Sequence, residues 1–78
     1  MNKKGYKNQM DGIESERISQ TIDAYVHSAE ARKIIKLNLL HDISYTRIAD
    51  KLENRVSPRT VQNIMNRWMP VIIEHLKR

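Results

Sequence analysis

Between Ser57 and Met69 the chain reads SPRTVQNIMNRWM, a stretch that contains neither Glu nor Lys. Arg59, Gln62, Asn63 and Asn66 recur there at spacings that place them on one side of an α-helix. Their planar ends present paired hydrogen-bonding atoms. Arg matches the guanine edge and Asn or Gln the adenine edge, each good pair contributing roughly 1–3 kcal/mol of base discrimination. A merely solvated helix face is more often filled with Glu and Lys. The expected chemistry is readout of base edges in a DNA major groove, with Arg59, Gln62, Asn63 and Asn66 as the base-contacting residues. Such a surface also needs grips on phosphates. Ser44, Tyr45, Thr46, Arg47, Arg55, Ser57, Thr60 and Arg67 are expected to supply them, assisted by backbone N–H groups at helix N-termini.

Other chemistries find less support. His27, His41 and His75 are far apart in sequence and lack partners one helical turn away, so no metal site is expected. The carboxylate pairs Glu14/Glu16 and Asp42/Asp50 have no neighbouring His or nucleophile, and no glycine-rich phosphate loop occurs. Neither an enzyme nor a cofactor is expected. Trp68 and Met65 read as core residues rather than as a platform for stacking bases.

The elements that must position these side chains are helical. Gly and Pro are limited to two each, which suits helices better than a sheet with tight turns. A first helix is expected from Asp11 to about His27, with Ile13, Ile18, Ile22, Tyr25 and Val26 inward and Asp11 as its cap. A second runs from Ala29 to Leu40, capped by Ser28, with Ile34, Leu37 and Leu40 or His41 on one stripe and Ile35 and Leu39 beside it. Ser44 caps a third, Tyr45 to Glu53, whose inner face is Ile48, Ala49 and Leu52. Glu53 to Val56 form a turn, with Val56 plugging the angle between helices.

Ser57 and Pro58 then open a fourth helix with Val61, Ile64, Met65 and Trp68 inward. Pro70 is expected to end it near Met69 and to start a last helix, Pro70 to about Leu76, at an angle. The fold class is therefore all-α, a small bundle of four to five helices containing a helix-turn-helix. Residues 1–10 are expected to be a flexible arm, with Lys3, Lys4 and Lys7 as its only basic groups, and residues 11–78 a single domain.

At 78 residues the chain has room for one small core, which must come from Ile, Leu, Val, Met and Ala because Phe is absent and Trp occurs once. It has no cysteine, which excludes disulfides and thiolate metal sites. The basic start is not followed by an apolar stretch of about 7–15 residues, so neither a secretory leader nor a membrane span is expected, and the location is read as cytoplasmic. The net charge is +5. Residues 1–27 hold four basic and four acidic side chains, whereas residues 42–78 hold seven basic and four acidic ones, so positive charge gathers where the helix pair lies.

The segment LLHDISYTRIADKLENRVSPRTVQNIMNRWMPVIIEHL resembles the helix-turn-helix of region four in bacterial sigma factors. Leu39, Leu40, Ile43, Ser44, Tyr45, Ile48, Ala49, Leu52, Ser57, Thr60 and Val61 carry the likeness. Ser57 to Val61 is also similar to the start of the recognition helix in the DNA-binding domains of response regulators. The likeness covers roughly residues 30–76 and includes no counterpart of the other sigma regions. It implies a groove-binding helix pair in a bacterial or phage transcription regulator, with double-stranded DNA as partner and RNA polymerase as a second candidate. A DNA-recognition subunit of a phage packaging or replication complex, and a polymerase-binding module that reads no bases, are the alternatives. Val71, Ile72, Ile73 and Leu76 exceed what one-sided packing needs, which points to a homodimer through the last helix unless the first helix folds back to cover it.

Overall fold

Serine side chains set three of the helix starts. Ser28 Oγ accepts from the N–H of Ala31, Ser44 Oγ from that of Arg47, and Ser57 Oγ from that of Thr60. Each satisfies an N–H that the first turn leaves without an intrahelical acceptor. The structure, a computed structural model, describes Met10, residues 12–52 and residues 56–77. Among these the regular structure is four α-helices with no strand: α1 (Ser15–Tyr25), α2 (Ala29–Leu39), α3 (Tyr45–Lys51) and α4 (Pro58–Leu76). The expected arm with Lys3, Lys4 and Lys7, Asp11 itself, and Glu53 to Arg55 of the turn lie outside the described residues. The expected start of the first helix at Asp11 is nonetheless corrected: α1 begins at Ser15 with Glu14 at its N-cap and no side-chain capping bond, because Gly12, at a φ of +85°, holds the preceding chain out of helical geometry.

One helix organises the rest. α1, α2 and α3 all pack on α4. Its buried stripe is Val61, Met65, Met69, Ile72 and Leu76. Around it close Ile18, Ile22 and Val26, then Ala31, Ile34, Ile35 and Leu39, then Ile48, Ala49 and Leu52. No polar or charged residue is buried among the described residues, so the core is held by apolar burial and dispersion alone. Polar contacts work at its edges. Arg17 Nη2 donates to the Leu76 carbonyl at 3.0 Å, satisfying a last-turn acceptor of α4 from α1. Arg32 Nη1 donates to the Val26 carbonyl at 2.8 Å and fastens the α1–α2 joint. The Lys36–Asp23 ion pair, at 2.7 Å, also links α1 to α2, but its exposure leaves it little weight.

Five further expectations are corrected. On α2 the expected stripe through Leu37 and Leu40 or His41 is not the buried one: Leu37 and Leu40 are half-buried and His41 exposed, and the inward row is Ala31, Ile35 and Leu39 at four-residue spacing, with Ile34 beside it. Pro70 does not end a helix: it lies inside α4, which runs unbroken for 19 residues from Pro58 to Leu76. The proline ring faces solvent, and continuation places Met69, Ile72 and Leu76 in the core, which outweighs the loss of one donor. Trp68 is half-buried rather than wedged centrally, as is Ile64. With the helix unbroken, Met69 and Ile72 turn the centre of the buried face roughly 50° away from the side expected from Val61, Ile64, Met65 and Trp68. Tyr25 is 40% exposed, because the chain leaves the helix there and Val26 takes the inward position. Met10, expected in the arm, is a core residue at 6% exposure, its unbranched thioether filling a gap beside α1.

The surplus on the last helix also finds cover within one chain. Ile72 and Leu76 are buried, Val71 and Ile73 half-buried, and α1 is the element that folds back over them.

The link from α2 to α3 is set by Asp42, whose φ of +59° is left-handed. It lets the Ile43 N–H return to the Leu37 carbonyl while Asn38 Nδ2 donates to the Ile43 carbonyl at 2.9 Å. The chain then enters α3 one residue later, at its cap Ser44.

Met69→Ala is expected to cost about 2–5 kcal/mol in denaturant unfolding, a large part of the stability of so small a domain. Trp68→Ala should cost less than Met69→Ala, reversing the order that side-chain size suggests. Asp42→Val should cost about 1–2 kcal/mol because a β-branched residue resists positive φ, whereas Asp42→Asn should melt close to wild type.

Candidate nucleic-acid interface

Ser57 and Pro58 fix where the candidate interface starts. Ser57 Oγ accepts the Thr60 N–H at 3.1 Å and also hydrogen-bonds Thr60 Oγ1 at 3.1 Å. Pro58 occupies the first helical position, where a missing N–H costs nothing. From there Arg59, Gln62, Asn63 and Asn66 are all exposed. They share the outer side of α4 with Arg67 and Pro70. The shift of the buried face described above also moves the outward centre. It falls on Asn63, Arg67 and Pro70, flanked by Arg59 and Asn66, with Gln62 nearer the rim.

The expected phosphate contacts divide between the two helices. Ser44, Thr46 and Arg47 are exposed at the start of α3, and Tyr45 is half-buried, its ring packed against the core. Ser44 Oγ accepts from Arg47 N–H at 3.3 Å, which leaves its own hydroxyl proton available to a phosphate oxygen. Within the Ser57–Thr60 pair one hydroxyl proton is used internally and the other is not. Ser57 is exposed and Thr60 half-buried. Arg55 lies outside the described residues. Arg67 is exposed, with its guanidinium carbon 5.9 Å from the centre of the Trp68 ring, a cation–π separation.

Sequence reading missed the neighbourhood of that pair. His27, in the joint between α1 and α2, meets Trp68 edge-on, with ring centroids 6.1 Å apart and planes at 79°. Tyr25 stacks on His75 at 3.6 Å and 6°. Neither contact has a local signal, since both join residues from opposite ends of the sequence. Lys51 is a further exposed basic side chain, in the last turn of α3.

Charge is graded along α4. Contact of Arg17 with the Leu76 carbonyl sets the first turn of α1, and with it Glu14 and Glu16, beside the C-terminal end of α4. Ser57 lies at the other end of this 19-residue helix, about 28 Å away at 1.5 Å per residue. That is well beyond a Debye length of about 8 Å at physiological salt. Glu14 and Glu16 are thus screened from the N-terminal turn of α4, where Arg59 lies. Among the described residues no group of His, Asp or Glu is arranged to hold a metal ion, and no helix is long and apolar enough to cross a membrane.

No family model, curated protein or solved structure matches this chain.

Arg47→Ala should weaken binding to duplex DNA similarly for all sequences and reduce the slope of log affinity against log salt by about one. Electrophoretic mobility shifts at several salt concentrations measure this. Lower affinity with an unchanged slope would assign Arg47 to packing instead.

Proposed function

We propose that the protein binds double-stranded DNA sequence-specifically, with α3 and α4 as a helix-turn-helix and α4 lying in the major groove. The observation that carries this reading is the outer side of α4: Arg59, Gln62, Asn63 and Asn66 all exposed, starting at a capped N-terminus, with no carboxylate between Pro58 and Met69. Arg and carboxamide groups on a rigid helix are suited to bidentate recognition of purine edges, and a face without carboxylates approaches a polyanion without repulsion. α3, packed on α4, presents Ser44, Thr46 and Arg47 toward a neighbouring backbone strand in this reading. The remoteness of Glu14 and Glu16 from Ser57 adds an electrostatic preference for the N-terminal half of α4.

The resemblance to sigma region four and to response-regulator domains supports the same use of the helix pair and suggests a transcription regulator of bacterial or phage origin. The small surface suits a weak monomeric contact strengthened by a larger assembly, and RNA polymerase is the partner that the resemblance suggests.

Selection of duplexes from a random library should yield a preferred site. Replacing Gln62 and Asn63 together by Ala should lower affinity for that site about tenfold or more, with little change on unrelated duplexes. Asn63→Ala alone should account for the larger share, being nearer the outward centre. Equal losses on selected and unrelated DNA would show that this face follows the backbone without reading bases.

A further inference from the structure

Beside the outer stripe of α4 stands a cluster from two distant parts of the chain: Arg67 against the Trp68 indole, and His27 at that indole's edge. Trp68 is half-buried, so packing restricts its ring, while His27 and Arg67 are both exposed. Their polar ends therefore reach solvent beside a packed apolar plate. Arg67 follows Asn63 by one turn, and the residues three and four positions from it are Asn63, Ile64, Pro70 and Val71. None is a carboxylate that could compete along the helix for the guanidinium. A guanidinium resting on an indole has fewer rotamers to lose when it meets an anion. The imidazole offers a ring N–H for a second hydrogen bond.

We propose that His27, Trp68 and Arg67 form a second backbone-gripping locus for duplex DNA, so that phosphates are held from the α1–α2 joint as well as from α3. The inference rests on the DNA-binding reading and extends it. Arg67 is the charged contact, His27 the hydrogen-bonding contact, and Trp68 the positioning residue beneath them. Two arguments select a polyanion as occupant. The cluster is cationic with an apolar plate, and it is continuous with the Asn63–Asn66 stretch on the same helix. Grips from both the α1–α2 joint and α3 would restrict how α4 lies across the groove, a requirement for reading several bases in register.

The test uses the full chain and phosphate-ethylation interference on a selected duplex. Wild-type protein should show interfering phosphates on both sides of the contacted groove. Those on one side should disappear with His27→Leu, with affinity falling about three- to tenfold on selected and unrelated duplexes alike, as loss of one hydrogen bond predicts. His27→Gln, which keeps an N–H donor, should bind close to wild type. Trp68, the single tryptophan, should change its emission as DNA saturates. His27→Leu with unaltered affinity and interference pattern would overturn the locus, and base reading would stand if the Gln62 and Asn63 double variant still lost its preferred site. Interference confined to one side in wild type would overturn the locus without reliance on any variant. Failure to bind any duplex would remove both readings, and capture of an acidic protein surface by the cluster in place of DNA would count against this one.

Discussion

Everything in this fold depends on the apolar stripe of α4. Val61, Met65, Met69, Ile72 and Leu76 run the length of one helix, and α1, α2 and α3 each bury their inner faces against it. With no buried polar residue among those described, no hydrogen-bond network inside the core specifies the packing. Shape complementarity around a single helix must do so. The choice of residues fits that demand. Isoleucines dominate α1 to α3 with few rotamers, and flexible methionines occupy the centre of α4, where three helices converge and the space is irregular.

Local signals in the sequence were legible because their causes are local. Ser28, Ser44 and Ser57 each cap the helix expected of them, since capping needs only a hydroxyl and an N–H three residues on. The inner face of α3 followed from periodicity for the same reason, whereas on α2 periodicity found Ile34, Ile35 and Leu39 but set Leu37 and Leu40 inward, where they are only half-buried. Pro70 was misleading because its penalty is local while its compensation is not. The stripe beyond it gains burial from elements distant in sequence, α1 among them, which precedes it by some fifty residues. Assuming a break there also removed Met69 and Ile72 from the estimate of helix phase, and so pulled Trp68 into a core it only borders.

The candidate interface was legible to a similar depth. Exposure of Arg59, Gln62, Asn63 and Asn66 agrees with the outward assignment, because any residue opposite a buried stripe must face solvent. What the chain could not reveal was its lateral surroundings. The meeting of His27 with Trp68, and of Tyr25 with His75, is a product of how α1 crosses α4, and no spacing rule links positions so far apart. Charge gave an intermediate case. A bias toward the second half of the sequence was visible, but the gradient along α4 depends on Arg17 drawing the acidic first turn of α1 to the helix's far end.

One consequence follows from a single helix serving as both central pillar and outer face. In many domains a recognition element can loosen while the core persists. Here disorder in α4 would expose the interior, and a disordered interior would leave no organised outer side. Ligand capture by that side and cooperative folding are then one thermodynamically linked equilibrium. Saturating ligand raises the melting temperature, and any substitution that populates the unfolded chain lowers apparent affinity in proportion to the folded fraction, even from a position that never touches the ligand. Substitutions of the inward methionines and of the outward amides would then act through the occupancy of one folded state.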